Sequence, residues 1–167
     1  MYPVKLGFNT AAKRIQSLIQ HGHHAEALVT SVFTLEKTIR RSLRLAIISR
    51  GFTGKQADQL LDRKGFEDLK NLWDVFEKNH NSLPKFVGNQ HWQFVPEAVR
   101  RRNQLVHGGR VYSLAECKLY AEHTLEAIRI LRERVIADYG STHGQGRKGA
   151  GSRGWNGIQN KQRTTRL

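Results

Sequence analysis

Two residue types that together suit phosphodiester chemistry, Arg102 and His107, bracket the stretch Arg102-Asn103-Gln104-Leu105-Val106-His107-Gly108. A guanidinium holds its charge at any physiological pH and binds phosphate oxygens bidentately, whereas an imidazole titrates near neutrality and can give or take a proton. Arg102 shares a helical face with Ala98, Val99, Leu105 and Val106, and this helix is expected to open near Pro96 and end at Gly108-Gly109. Asn103 lies one turn before His107, so a helix sets their side chains on one face. His107 then falls in the last turn, where exposed carbonyls and the negative end of the helix dipole favour a protonated imidazole. Each residue also has a plain structural role open to it. An Arg on an apolar stripe can bury its stem and reach the rim, and a His before Gly-Gly can simply cap a helix.

The elements that must position these residues are helical almost throughout. From Phe8 to Tyr139 apolar residues recur at intervals of three and four, and no run alternates with period two, so no sheet is expected. A first helix is predicted from about Asn9 to Gln20, and a long second one from about His24 to Ser49. The stripe of the second contains Ala25, Leu28, Val29, Val32, Glu36, Ile39 and Leu43. Thr53-Gly54-Lys55-Gln56 has the pattern of a capping box for a short helix, and a third main helix carries Phe66, Leu69, Leu72, Trp73 and Phe76. The segment from Asn79 to Val95 reads as a long loop. A last helix should start at the capping box Ser113-Leu114-Ala115-Glu116 and run to about Asp138. The expected fold is all-α: an antiparallel four-helix bundle with additional short helices.

The chain has 167 residues and a formal net charge of +14, so one core of useful size is expected together with an anionic partner. Residues 1–139 form the expected bundle and residues 140–167 a basic tail. The tail holds Arg147, Lys148, Arg153, Lys161, Arg163 and Arg166 and no acid, and its Gly-, Ser- and Gln-rich composition is that of a disordered segment. Such a tail, with Trp155, could bind RNA through phosphates and base stacking or serve only as a solubilising extension. With neither a leader pattern nor a membrane-length apolar run, a cytoplasmic location away from any membrane is expected. The single cysteine, Cys117, is expected to act as a small buried hydrophobe.

A helical bundle whose penultimate helix carries Arg102-Asn103-x-x-x-His107, before a turn and a long closing helix, resembles the HEPN superfamily. The hydrophobic approach Leu105-Val106 to the His and the Leu35-Glu36-x-x-Ile39-Arg40-x-x-Leu43 pattern of the second helix are similar to that family as well. The resemblance covers roughly Asn9 to Asp138. It implies an endoribonuclease that needs no metal or other cofactor and works as a homodimer, two copies of the Arg-His motif meeting across the interface. It also implies a toxin or antiviral defence effector with an antitoxin or regulatory protein as partner. On this likeness Arg102 binds the scissile phosphate, His107 acts as general acid or base, and Asn103 orients the imidazole or contacts phosphate. The products are 2′,3′-cyclic phosphate and 5′-hydroxyl ends. The alternative is a non-catalytic RNA-binding or scaffold protein with the same bundle.

Other residues are weighed against that centre. Arg100, Arg101 and Arg110 flank the motif and could extend a basic groove along RNA, joined by Arg147, Lys148 and Arg153 of the tail. Glu36 interrupts an apolar stripe; facing inward it needs a cation, for which Arg102 or His107 would serve, while a place at the rim, or local pairing with Arg40 one turn on, is the preferred reading. His21, His23 and His24 fall in a turn without Cys or acidic neighbours, which fits a solvated turn better than a metal site. Trp73 and Phe76 have core spacing, whereas Trp92 and Phe94 could cover the groove or a dimer contact.

Overall fold

A computed structural model describes residues 7–140, which form helices and their connections with no strand among the described residues. In chain order these are α1 (Phe8–Gln20), α2 (His24–Ser49), α3 (Gly54–Leu61), α4 (Phe66–Phe76), α5 (Leu83–Val87), α6 (Asn89–Trp92), α7 (Val95–Val106) and α8 (Leu114–Tyr139). The tail beyond Gly140, and with it Arg147, Lys148 and Arg153, lies outside the described residues. No helix is long and apolar enough to cross a membrane among the described residues.

Local chemistry explains where the helices begin. Both capping boxes form as the sequence predicts: Gln56 N–H donates to Thr53 Oγ1 at 3.2 Å and Thr53 N–H to Gln56 Oε1 at 2.9 Å. At α8, Glu116 N–H donates to Ser113 Oγ at 3.3 Å and Ser113 N–H to Glu116 Oε2 at 3.1 Å. Between α1 and α2 the chain reverses at Gly22, whose φ of +79° is open to glycine at little cost.

The helices form a bundle around α2, which packs most extensively on α8 and also touches α1, α3, α4 and α7. Being surrounded, α2 buries more than one stripe: Ala27, Ser31, Thr34, Leu35 and Ser42 join Leu28, Val32, Ile39 and Leu43 in the interior. Two of the polar members are self-satisfied, Ser31 donating to the Leu28 carbonyl at 2.9 Å and Thr34 to that of Thr30 at 2.7 Å. Cys117 is a buried free thiol, as expected of a small hydrophobe.

The expected long loop is a correction. Its residues 83–92 fold into α5 and α6, with Leu83, Phe86, Val87 and Trp92 buried. Pro84 in the first turn of α5 and Gly88 at φ +100° between the helices hide a helical pattern too short for periodicity to show. Trp92 stacks on Phe66 and Phe94 on His123, with centroids 6.3 and 3.8 Å apart, so these aromatics close the core and the α8 flank and do not cover the groove.

Candidate functional site

On α7 the first two turns bury Val95, Ala98 and Val99, and Arg102 continues that face one turn later. Its side chain is 22% exposed and pairs with Glu36 of α2, itself 26% exposed. Of the three cations considered for Glu36, the structure selects Arg102, and the local pairing with Arg40 does not form. Arg40 instead donates to the carbonyls of Leu61 and Lys64, where the end of α3 leaves acceptors without helical partners. The Glu36 pair leaves one buried donor of Arg102, Nε–H, without a partner.

His107 is the C-cap of α7 (φ −91°, ψ 7°), followed by a Schellman turn. Gly109 N–H donates to the Gln104 carbonyl at 2.8 Å and Gly108 N–H to that of Leu105 at 3.3 Å, with Gly108 at φ +66°. The turn leaves the His107 imidazole and the Asn103 side chain exposed on the same end of the helix. The structure thus joins Arg102 to Glu36 and sets Asn103 and His107 on an adjoining face.

Beside Arg102 lies a groove of ≈ 400 Å³ between α1, α2 and α7. Arg14 of α1, Lys37 and Arg41 of α2, and Arg102 supply four cations; Phe8, Val29, Phe33 and Val106 supply its apolar surface, and no carboxylate lines it among the described residues. Arg14, Lys37 and Arg41 form no ion pair among the described residues. Phe33 and Val106 are 61% and 57% exposed. Sequence reasoning missed Arg14, Lys37 and Arg41. The signal was present as Phe33, Lys37 and Arg41 at successive steps of four, a single row on α2 facing away from the stripe that periodicity highlights.

The flanking cations expected to line an RNA path have other work. Arg100 forms two hydrogen bonds to Glu97, at 2.7 and 2.6 Å. Arg101, 13% exposed on its side chain, reaches Glu97 at 2.8 Å and Glu116 at 2.9 Å, with its guanidinium 4.4 Å from the ring centroids of both Tyr112 and Tyr120. Arg101 therefore ties α7 to the start of α8 and does not extend the groove. The hydrogen bond from Arg101, helped by Ser113, holds the Glu116 carboxyl down at about 2. Arg110 is exposed, 5.8 Å from the Tyr112 ring centroid.

No group of three or more His, Cys, Asp or Glu residues suited to a metal ion occurs among the described residues. In the α1–α2 turn His21 Nδ1–H donates to the Ser17 carbonyl at 2.7 Å, and half-buried His24, the first residue of α2, donates Nε2–H to the Ile19 carbonyl at 3.2 Å, satisfying acceptors at the end of α1. No family model, curated protein or solved structure matches the chain.

Proposed function

We propose that the chain is a metal-independent endoribonuclease acting as a homodimer, and that it serves as a toxin or defence effector under the control of an antitoxin or regulatory protein. One observation carries the reading: Arg102, anchored by Glu36 but with a buried donor unpartnered, borders a groove that among the described residues is lined by four cations and no carboxylate, five residues before an exposed His107. The resemblance of Arg102-Asn103-x-x-x-His107 to the HEPN motif supports it.

In the proposed reaction the ribose 2′-oxygen attacks phosphorus as its proton is taken, and the P–O5′ bond breaks as the leaving oxygen gains a proton. The ends are a 2′,3′-cyclic phosphate and a 5′-hydroxyl. Arg102 neutralises the pentacoordinate phosphorane, with Glu36 fixing its direction. His107 supplies or takes one proton, and Asn103, one turn away, orients the imidazole or bonds a phosphate oxygen. Two proton transfers and a single motif His, His107, in each chain give a second copy its role. Arg110 and the tail residues Arg147, Lys148 and Arg153 contribute phosphate contacts beyond the centre.

The test is RNA cleavage in excess EDTA. Wild type should cleave, while Arg102→Ala and His107→Ala should each lose roughly 10²- to 10⁴-fold with RNA affinity largely kept. Wild type inert on varied RNAs, or an undiminished His107→Ala, overturns the proposal. The Schellman turn at His107 favours a second reading, in which that residue only caps a helix and the protein is a non-catalytic RNA-binding or scaffold bundle. In that case removal of everything after Tyr139 weakens RNA binding and neither motif substitution affects RNA integrity.

A further inference from the structure

We infer that the groove between α1, α2 and α7 is a subsite for one unpaired RNA nucleotide, its base stacked on Phe33 and its phosphates held by Lys37 and Arg41. The inference takes RNA as ligand from the proposed function and adds where, and in what form, a nucleotide sits beside Arg102.

Size comes first. A groove of ≈ 400 Å³ falls near the small end of ligand sites, about 300–1,000 Å³, enough for a single nucleotide and too narrow for a duplex. Chemistry narrows the choice further. Thr34 and Thr38 line the groove, but each hydroxyl donates at 2.7 Å to the carbonyl four residues earlier, so neither offers its proton to a ligand. The side-chain donors left there are the cations and the Thr30 hydroxyl, and the flat surface is aromatic. Phe8 already has the Arg132 guanidinium 4.4 Å from its ring centroid, whereas Phe33 is 61% exposed. A surface of cations beside an open ring suits an anionic strand bearing an aromatic base, with little discrimination among bases.

Geometry is consistent with one strand. Phe33, Lys37 and Arg41 form a row along α2 with a rise of about 6 Å per step, so base platform and phosphate anchors follow one another. A second copy of this chain is the less fitting occupant, because a two-fold contact centred on the groove would bring Arg14, Lys37 and Arg41 of both copies together with no carboxylate among the described lining residues.

The experiment uses the full chain and a fluorescent, single-stranded 2′-O-methyl oligonucleotide, which lacks the nucleophile and so reports binding apart from cleavage. Phe33→Ala should weaken binding about tenfold, and Phe33→Trp should keep it, with the new indole quenched on binding. Lys37→Ala and Arg41→Ala should each flatten the plot of log affinity against log salt by about 0.7. A duplex of the same sequence should bind more weakly and ignore Phe33. Because Phe33 is exposed, its truncation leaves the core intact, which circular dichroism will check. Wild-type affinity in Phe33→Ala overturns the inference, as does a Phe33→Ala chain that sediments as a monomer where wild type is a dimer. Phe33-dependent binding by a chain that leaves unmodified RNA whole would instead overturn the nuclease and keep the subsite. Cleavage with Phe33-indifferent binding does the reverse.

Discussion

At the residue scale the pair formed by Glu36 and Arg102 carries both stability and the proposed chemistry, and the two roles are separable. Both side chains are less than a third exposed, so removing one partner strands a partly desolvated charge. Glu36→Ala should cost about 1–3 kcal/mol in urea melts, between the values for surface and buried pairs. Glu36→Leu with Arg102→Met should regain most of that loss, since a hydrophobic pair has no charge to desolvate, and should remain unable to cleave RNA. A double variant as unstable as Glu36→Ala alone would show that the pair contributes specific structure beyond its charge balance. The acid's role was visible in the sequence as an interrupted stripe, and Arg102 was one of its candidate partners, but the choice among them was not. Sequence spacing makes Arg40 the nearest candidate, whereas Arg102 is 66 positions away along the chain.

At the element scale, two contacts decide how α7 and α8 are held. The turn after His107 depends on Gly108, whose φ of +66° penalises any side chain, and much less on Gly109, where an added Cβ would meet nothing nearer than the Gln104 carbonyl at 3.7 Å. Gly108→Ala should therefore cost about 1 kcal/mol, and Gly109→Ala much less. Equal losses in thermal melts would contradict this account of the turn. Where α6 packs on α8, His123 stacks on Phe94 with its Nδ1 at 3.1 Å from Nδ1 of His91 on α6. Burial, and then the neighbouring imidazole, lower the His123 pKa below the ordinary 6.5. A folded-state value below the unfolded one means that the unfolded chain binds more protons as the medium acidifies. The stability contributed there is complete above 6.5 and is lost as pH falls toward the lowered value. His123→Gln should flatten the decline of melting temperature through that window, and an unchanged decline would assign it to other groups.

At the scale of the whole molecule, charge and core act independently. A formal net charge of +14 with a groove lined by cations predicts RNA binding that weakens steeply with salt. For single-stranded RNA the slope of log affinity on log salt should be about −0.7 for each phosphate neutralised, measured by titration at several salt concentrations. A slope near zero would remove the electrostatic basis of the proposed ligand. The all-helical class, the two capping boxes and the bounds of α2 were legible in the sequence, because capping and 3.6-residue periodicity are local properties of consecutive residues. The segment from Asn79 to Val95 was not, since α5 and α6 are only 5 and 4 residues long and owe their form to burial of Leu83, Phe86, Val87 and Trp92. The motif was legible as residue types and spacing, with Asn103 and His107 on one face, but the choice among its basic neighbours was not. Tertiary packing alone decided that Arg102 takes Glu36, that Arg101 is clamped between Tyr112 and Tyr120, and that Lys37 and Arg41 line the groove. Spacing along one helix determines which side chains share a face, whereas the partner of a charge depends on which other helix that face meets.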